Sequence, residues 1–201
     1  MNYNSEIIIN RATAEDFPSA LKLSQKHSFK NETDKSCGFI SAPIKPENLP
    51  DLFVAKQHNL FIAKQDEELV GIVIARDFSE KDYEFFDVDK NVKAKMIERL
   101  CVASDFRRQG IASQLLNFMR TEFKGITLYA EVFYYPVRNI PSEELLKKHD
   151  FTLIGTKSAY IEVCETDATL SLFENLNQSK TFNTPDSQTD CGQLPRTQTD
   201  D

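Results

Sequence analysis

The residues whose types and spacing could do chemistry crowd into one segment, Leu100-Cys-Val-Ala-Ser-Asp-Phe-Arg-Arg-Gln-Gly-Ile-Ala-Ser-Gln-Leu-Leu116. It reads as a strand, a tight polar turn and an amphipathic helix. The turn holds Arg107, Arg108, Gln109 and Gly110. The first turn of a helix presents N–H groups with no partner in the helix, together with a partial positive charge. That combination suits an anion, best of all a phosphate or pyrophosphate. Gly110 lets a ligand come close to the backbone, and small Ala112 does the same within the next turn. Two arginines add charge-assisted donors. The segment is neither GxxxxGK[ST] nor GxGxxG, so it is not one of the two common nucleotide loops.

The elements that must hold this segment alternate between α and β. Glu6–Ile9 reads as a strand. A helix follows over 14–27, capped by Thr13 with Asp16 three residues on. Residues 28–46 lack periodicity and read as a long loop, with a second helix at 48–57. Leu60–Lys64 and Leu69–Arg76 read as a hairpin around an acidic turn. The charged stretch 78–93 reads as a solvated loop. Met96–Val102 is a strand, and Ile111–Lys124 is the clearest helix, with Ile111, Leu115, Leu116, Met119 and Phe123 on one face. Ile126–Val132 is a strand, Pro141–His149 a helix, and Phe151–Thr156 with Ala159–Val163 a closing strand pair. The domain is therefore placed at 1–165. A short helix is expected within 166–177, at Leu170–Leu176, and a disordered polar acidic tail at 178–201. From Thr166 onward, 17 of 36 residues are Ser, Thr, Asn or Gln, too polar to bury a core. This tail carries −4 of the net −7, so the acidity says little about the active segment.

Composition narrows the function. A net charge of −7 argues against a nucleic-acid binder that works by neutralising phosphates. No run of 18 apolar residues occurs, and MNYNSEIIIN lacks the basic and apolar regions of a signal peptide, so the expected location is cytoplasmic, away from membranes. Cys37, Cys101, Cys164 and Cys191 are scattered, with no CxxC, and His27, His58 and His149 form no HxxxH. No metal site is expected, and the cysteines are expected to be free thiols.

The segment resembles motif A of the GNAT superfamily of N-acetyltransferases. The family pattern V-x-x-x-[FY]-[RQ]-x-x-G-x-[GA] is met by Val102, Phe106, Arg107, Gly110 and Ala112. The order of elements over about 6–163 is similar too. Asn139 and Phe151 stand at the spacing of a second family signature, with Asp150 where Gly is usual. The resemblance implies a mixed central sheet of six to seven strands with helices on both faces. Its fourth and fifth strands would splay to hold acetyl-CoA. Backbone N–H groups of Arg107, Arg108, Gln109, Gly110, Ile111 and Ala112 would hold the pyrophosphate. Val102 would pair with the pantetheine arm, and Asn139 would contact that arm from the other side. The N–H near Leu100 would stabilise the oxyanion of the tetrahedral intermediate.

The implied reaction is transfer of the acetyl group to an amine, whether of a small molecule, a polyamine, an antibiotic or a protein. Glu98 is the expected base, sharing a strand face with Met96 and Leu100 by simple alternation, and Glu131 is the reserve. Many family members carry a Tyr seven residues after the Asn as general acid. Here Leu146 stands there, so either another group supplies the proton, Tyr134 first with Tyr135 and His149 behind it, or the thiolate takes it from water. Cys101 alternates away from the site and is expected in the core. A homodimer is open, and so is a non-catalytic acyl-CoA-binding module.

Overall fold

The computed structural model describes residues 6–48, 58–161 and 165–176. Seven extended segments alternate their side chains and pair into one sheet. They are β1 (Ile7–Arg11), β2 (His58–Gln65), β3 (Glu68–Asp77), β4 (Ala94–Val102), β5 (Thr127–Tyr135), β6 (Thr152–Ile161) and β7 (Thr166–Asn175). The spatial order is β1-β2-β3-β4-β5-β7-β6. Every pairing is antiparallel except β4 with β5. Four α-helices accompany the sheet among the described residues: α1 (Phe17–Lys26), α2 (Glu80–Phe86), α3 (Ile111–Glu122) and α4 (Ile140–Lys148). None is long and apolar enough to cross a membrane.

The apolar stripes decide which face each helix covers. Ile111, Leu115, Leu116 and Met119 of α3 are fully buried against Ala63, Val73, Leu128 and Ala130, and Leu146 of α4 joins the same cluster. Each such side chain contributes about 2 kcal/mol of apolar burial. On the opposite face α1 packs Phe17, Ala20 and Leu23 on Leu60, Ile62, Ile72 and Ile74. Next to it, Phe86 of α2 packs with Met96, Tyr129 and Phe133. Gly71 on β3 sets how closely α3 sits, because a Cβ there would lie 3.0 Å from Leu115 Cδ1 and 3.1 Å from Ile111 Cγ2.

The expected capping box at Thr13 and Asp16 is present. Asp150 adopts φ 61, the left-handed conformation for which Asp is a tolerable substitute for Gly. Three expectations are corrected. The stretch 78–93 is no plain loop, since Ser79 and Asp82 form a capping box that starts α2. The aromatic residues Phe78, Tyr83 and Phe86 hold that short helix on Tyr129 and one another. The closing strand pair is one continuous edge strand, β6, whose polar centre imitates a turn. Its partner is Thr166–Asn175, which is a strand and no helix. That strand lies between β5 and β6, burying Ala168, Leu170, Leu172 and Phe173, so the sheet continues past 165. The expected helix at 48–57 and tail at 178–201 lie outside the described residues.

Candidate active site

The β4–β5 pairing runs only from Ala94↔Thr127 to Ile97↔Ala130. Beyond it the two strands part, as expected for the fourth and fifth strands. The cause is local. The β3–β4 register shifts between Ile74 and Ala75, opposite Arg99 and Ile97, which leaves Glu98 as an extra residue. A bulge of this kind bends its strand and resets the alternation after it. Met96 therefore packs on the α2 side, whereas Leu100 packs on the α3 side with Ile97 and Val102. The expectation that Met96, Glu98 and Leu100 share a face is corrected accordingly.

The parted strands open two adjoining chambers that share Leu100, Ser142 and Leu145. The outer one, about 390 Å³, is walled by Val102, Arg107, Arg108, Gly110, Ile111, Ala112 and Ser113, and from α4 by Pro141 and Lys148. Gly110 is the N-cap of α3 at φ 83, and the first helical bond is Gln114 N–H to Gly110 O. The N–H groups of Ile111, Ala112 and Ser113 precede that bond and have no carbonyl inside the helix. Exposed Arg108 and Lys148 supply positive charge from opposite walls. Gln109 stands outside the wall, donating from Nε2 to Asp105 O at 3.3 Å. This chamber can hold a polyanion.

Arg107 is used differently from the expectation of a phosphate donor. Its guanidinium turns back under the loop, with Nε donating to Val102 O (3.1 Å) and Nη1 to Cys37 O (3.3 Å). Nη2 reaches Glu32 Oε2 at 2.9 Å and lies 2.8 Å from His27 Nδ1, itself 2.6 Å from the same carboxylate oxygen. Burial works against the Glu32 charge, yet the hydrogen bonds from His27 and Arg107 outweigh it and hold the carboxyl below its ordinary value. Burial pushes the His27 imidazole below its ordinary value as well.

The inner chamber, about 180 Å³, is walled by Arg76, Glu98, Arg99, Glu131, Phe39, Phe133 and Asn139, among others. Arg76 makes a two-pronged bond to Asp82, 2.5 and 3.0 Å. Arg99 Nη1 pairs with Glu98 at 2.7 Å. The Glu131 carboxylate has no hydrogen-bond or ion-pair partner among the described residues. Glu131 lines the chamber from an exposed position of β5, and loss of solvation there raises its carboxyl pKa to about 7, despite the opposing field of Arg76. Asn139 caps α4: Oδ1 accepts from Ser142 N–H and Nδ2 donates to Phe39 O at 2.7 Å. It lines the cleft with both polar atoms already bonded.

The structure thus brings Glu98, Leu100, Val102, Arg107, Arg108, Gly110, Ile111, Ala112 and Asn139 to one cleft, with the reserve residue Glu131 beside Glu98. It does not bring the substitute acids there. Tyr134 is half exposed, with Arg138 over its ring at 5.1 Å, and neither it nor Tyr135 lines a chamber. His149, at the C-terminal end of α4, is buried at 7% exposure, and burial lowers its pKa. Cys101 is buried in the core with its thiol pushed up to about 12, and is unreactive as expected. Among the described residues no cluster of His, Cys, Asp or Glu could hold a metal ion. Lys148, Phe39 and Arg99 had no local signal, since each reaches the cleft from a different element.

Comparison with known proteins agrees with this geometry. Residues 56–153 match the model of the acetyltransferase (GNAT) domain. The fold is similar to that of the ribosomal-protein-S18-alanine N-acetyltransferase from Escherichia coli, with TM-score 0.63 and 15% identity, covering 89% of this chain and 98% of that one. An N-acetyltransferase from Staphylococcus aureus Mu50 gives TM-score 0.64 and 21% identity over 86% and 99% of the two chains. Arabidopsis thaliana NAA60, solved in complex with acetyl-CoA, gives 0.64 and 20% over 85% and 99%. No curated protein sequence matches. The seven-stranded sheet and its helices share the fold of these solved N-acetyltransferases. This chain carries a GNAT acetyltransferase domain.

Proposed function

We propose that the chain is an N-acetyltransferase that moves an acetyl group from acetyl-CoA directly to a primary amine. The observation that carries the reading is the pair of adjoining chambers between β4 and β5. One offers helix N–H groups and two cations to a polyanion, and the other ends at an unpaired carboxylate. The fit is chemical: a pyrophosphate suits the α3 terminus, and an extended arm suits the free edge of β4 beside Leu100 and Val102. Acetyl-CoA supplies an activated thioester carbonyl.

Glu131 takes one proton from the incoming ammonium, leaving a neutral amine. The amine nitrogen forms a bond to the carbonyl carbon and the carbon–sulfur bond breaks. The amide nitrogen gives up its second proton, the thiolate takes one, and the products are amide, free thiol and one released proton. The backbone beside Leu100, on the unpaired side of β4, stabilises the negative oxygen meanwhile. Glu98 holds Arg99 in place beside the reacting end. With no tyrosine among the described residues of the chamber walls, the thiolate takes its proton from water.

The test is a thermal-shift titration with acetyl-CoA. At 100 times its Kd a ligand adds about 2.7 kcal/mol, which raises Tm by about 5–10 °C for a chain of this size. Gly110→Asp places a carboxylate on the phosphate loop and should abolish the shift. Gly110→Ala imposes the same backbone strain without the charge and should retain most of it, since open space surrounds a Cβ there. A folded parent that shows no shift would refute the reading.

A further inference from the structure

The inner chamber carries information about the acceptor, provided the acetyltransferase reading above holds. Its charged wall residues are Arg76, Arg99, Glu98 and Glu131. The first is matched by Asp82 and the second by Glu98. Among the described residues one carboxylate, Glu131, is left to meet a cation. A second ammonium in the same space would face two arginines and apolar wall, and an unmatched charge taken from water is expensive.

Apart from Ser41, Asn139 and Ser142 the rest of the wall is apolar, and it is built rigidly. Phe39 and Phe133 lie edge to face with centroids 5.6 Å apart, and Phe29 backs both at 5.3 and 5.4 Å. The strand of chain carrying Phe39 is tied down at three carbonyls by residues of the cleft. Arg107 bonds Cys37 O, Asn139 bonds Phe39 O at 2.7 Å, and Arg99 bonds Ala42 O at 2.9 Å. A wall held this way keeps its shape when a ligand enters. At about 180 Å³ the chamber is comparable with an apolar cavity of about 150 Å³ that accepts benzene.

We infer that the acceptor is a primary amine borne on an apolar group the size of one side chain, with no second cation near it. Glu131 receives the ammonium, and Phe39 with Phe133 receives the apolar group. Both a small arylalkylamine and a peptide whose first residue is apolar present this chemistry.

The experiment uses the full chain with acetyl-CoA, reads out free thiol, and compares phenethylamine, peptides beginning with Phe or Leu, peptides beginning with Ser or Asp, spermidine and free lysine. The apolar amines should exceed spermidine and lysine in kcat/KM by about 100-fold. Turnover of phenethylamine identifies a small-molecule acceptor, and turnover of the apolar peptides alone identifies a polypeptide N-terminus. Phe39→Ala should raise KM for the preferred apolar amine by about tenfold and leave the acetyl-CoA Kd within about twofold. If that variant is unfolded, Phe39→Leu should shift preference from aromatic toward branched aliphatic amines. Preference for spermidine or lysine, or an unchanged KM in folded Phe39→Ala, overturns the inference while acetyl-CoA binding stands. Acetyl-CoA binding with no amine turned over also overturns it. Absence of acetyl-CoA binding, by calorimetry, overturns the acetyltransferase reading and the inference with it.

Discussion

Replacing Glu131 by Gln removes the carboxylate at the end of the inner chamber and keeps its size. The ordinary glutamate value of 4.5 is raised to about 7, chiefly by burial. The ionised fraction is then about 0.1 at pH 6, one half at pH 7 and about 0.9 at pH 8, so kcat/KM for the parent should climb about tenfold between pH 6 and 8. Loss of a positioned base lowers the rate by about 10²–10⁴-fold. Glu131→Gln should show that loss at pH 8 and no rise between pH 6 and 8. The sign for stability is opposite. An acid whose folded pKa is raised favours the fold when protonated, and that contribution is lost as pH rises from about 4.5 through about 7. The neutral variant should therefore melt no lower than the parent at pH 8, which excludes misfolding as the cause of lost activity. Rates over pH 5.5–9 at saturating acetyl-CoA, with melting curves in the same buffers, are the assay. A variant with full rate and the parent's pH limb would refute the role of Glu131 and return the base to Glu98.

Three further outcomes follow from the placement of other residues. Arg107→Met leaves Glu32 and His27 buried without their shared partner, and breaking a buried pair costs about 3 kcal/mol, or about 6–12 °C in Tm. Calorimetry should show that fall. Arg108→Met and Lys148→Met should leave Tm nearly unchanged and weaken acetyl-CoA about two- to fivefold each, more at low salt. The reverse pattern would mean that Arg107 is the phosphate ligand after all. A chain ending at Glu165 lacks β7 and so leaves β5 and β6 without their common partner. It should yield no cooperative melt, whereas a chain ending at Leu176 should fold; a cooperative melt from the shorter chain would contradict the strand order.

The sequence by itself determined whatever depends on neighbours along the chain. The strand, turn and helix around Arg107–Ala112 were legible because helical periodicity and a glycine at the cap are local features. So were the capping box at Thr13 and the tolerance of Asp150 for positive φ. The same logic applied at Ser79 and Asp82, but a seven-residue helix shows too little periodicity to stand out. The strand Thr166–Asn175 was hidden by the polar composition that follows it, and its identity comes from β5 and β6 on either side. The tertiary structure alone decided which carboxylate of the inner chamber is left without a partner among the described residues. One extra residue at Glu98 turns the strand, and Arg99 pairs with the Glu98 carboxylate. The tertiary structure also set Glu131, an exposed position of β5, on the wall of that chamber, where loss of solvation raises its carboxyl pKa to about 7. It likewise turned Arg107 inward to Glu32 and His27, some 75 and 80 positions away. Charge pairing and desolvation act through space, and no spacing along the chain reports which groups will share a cavity.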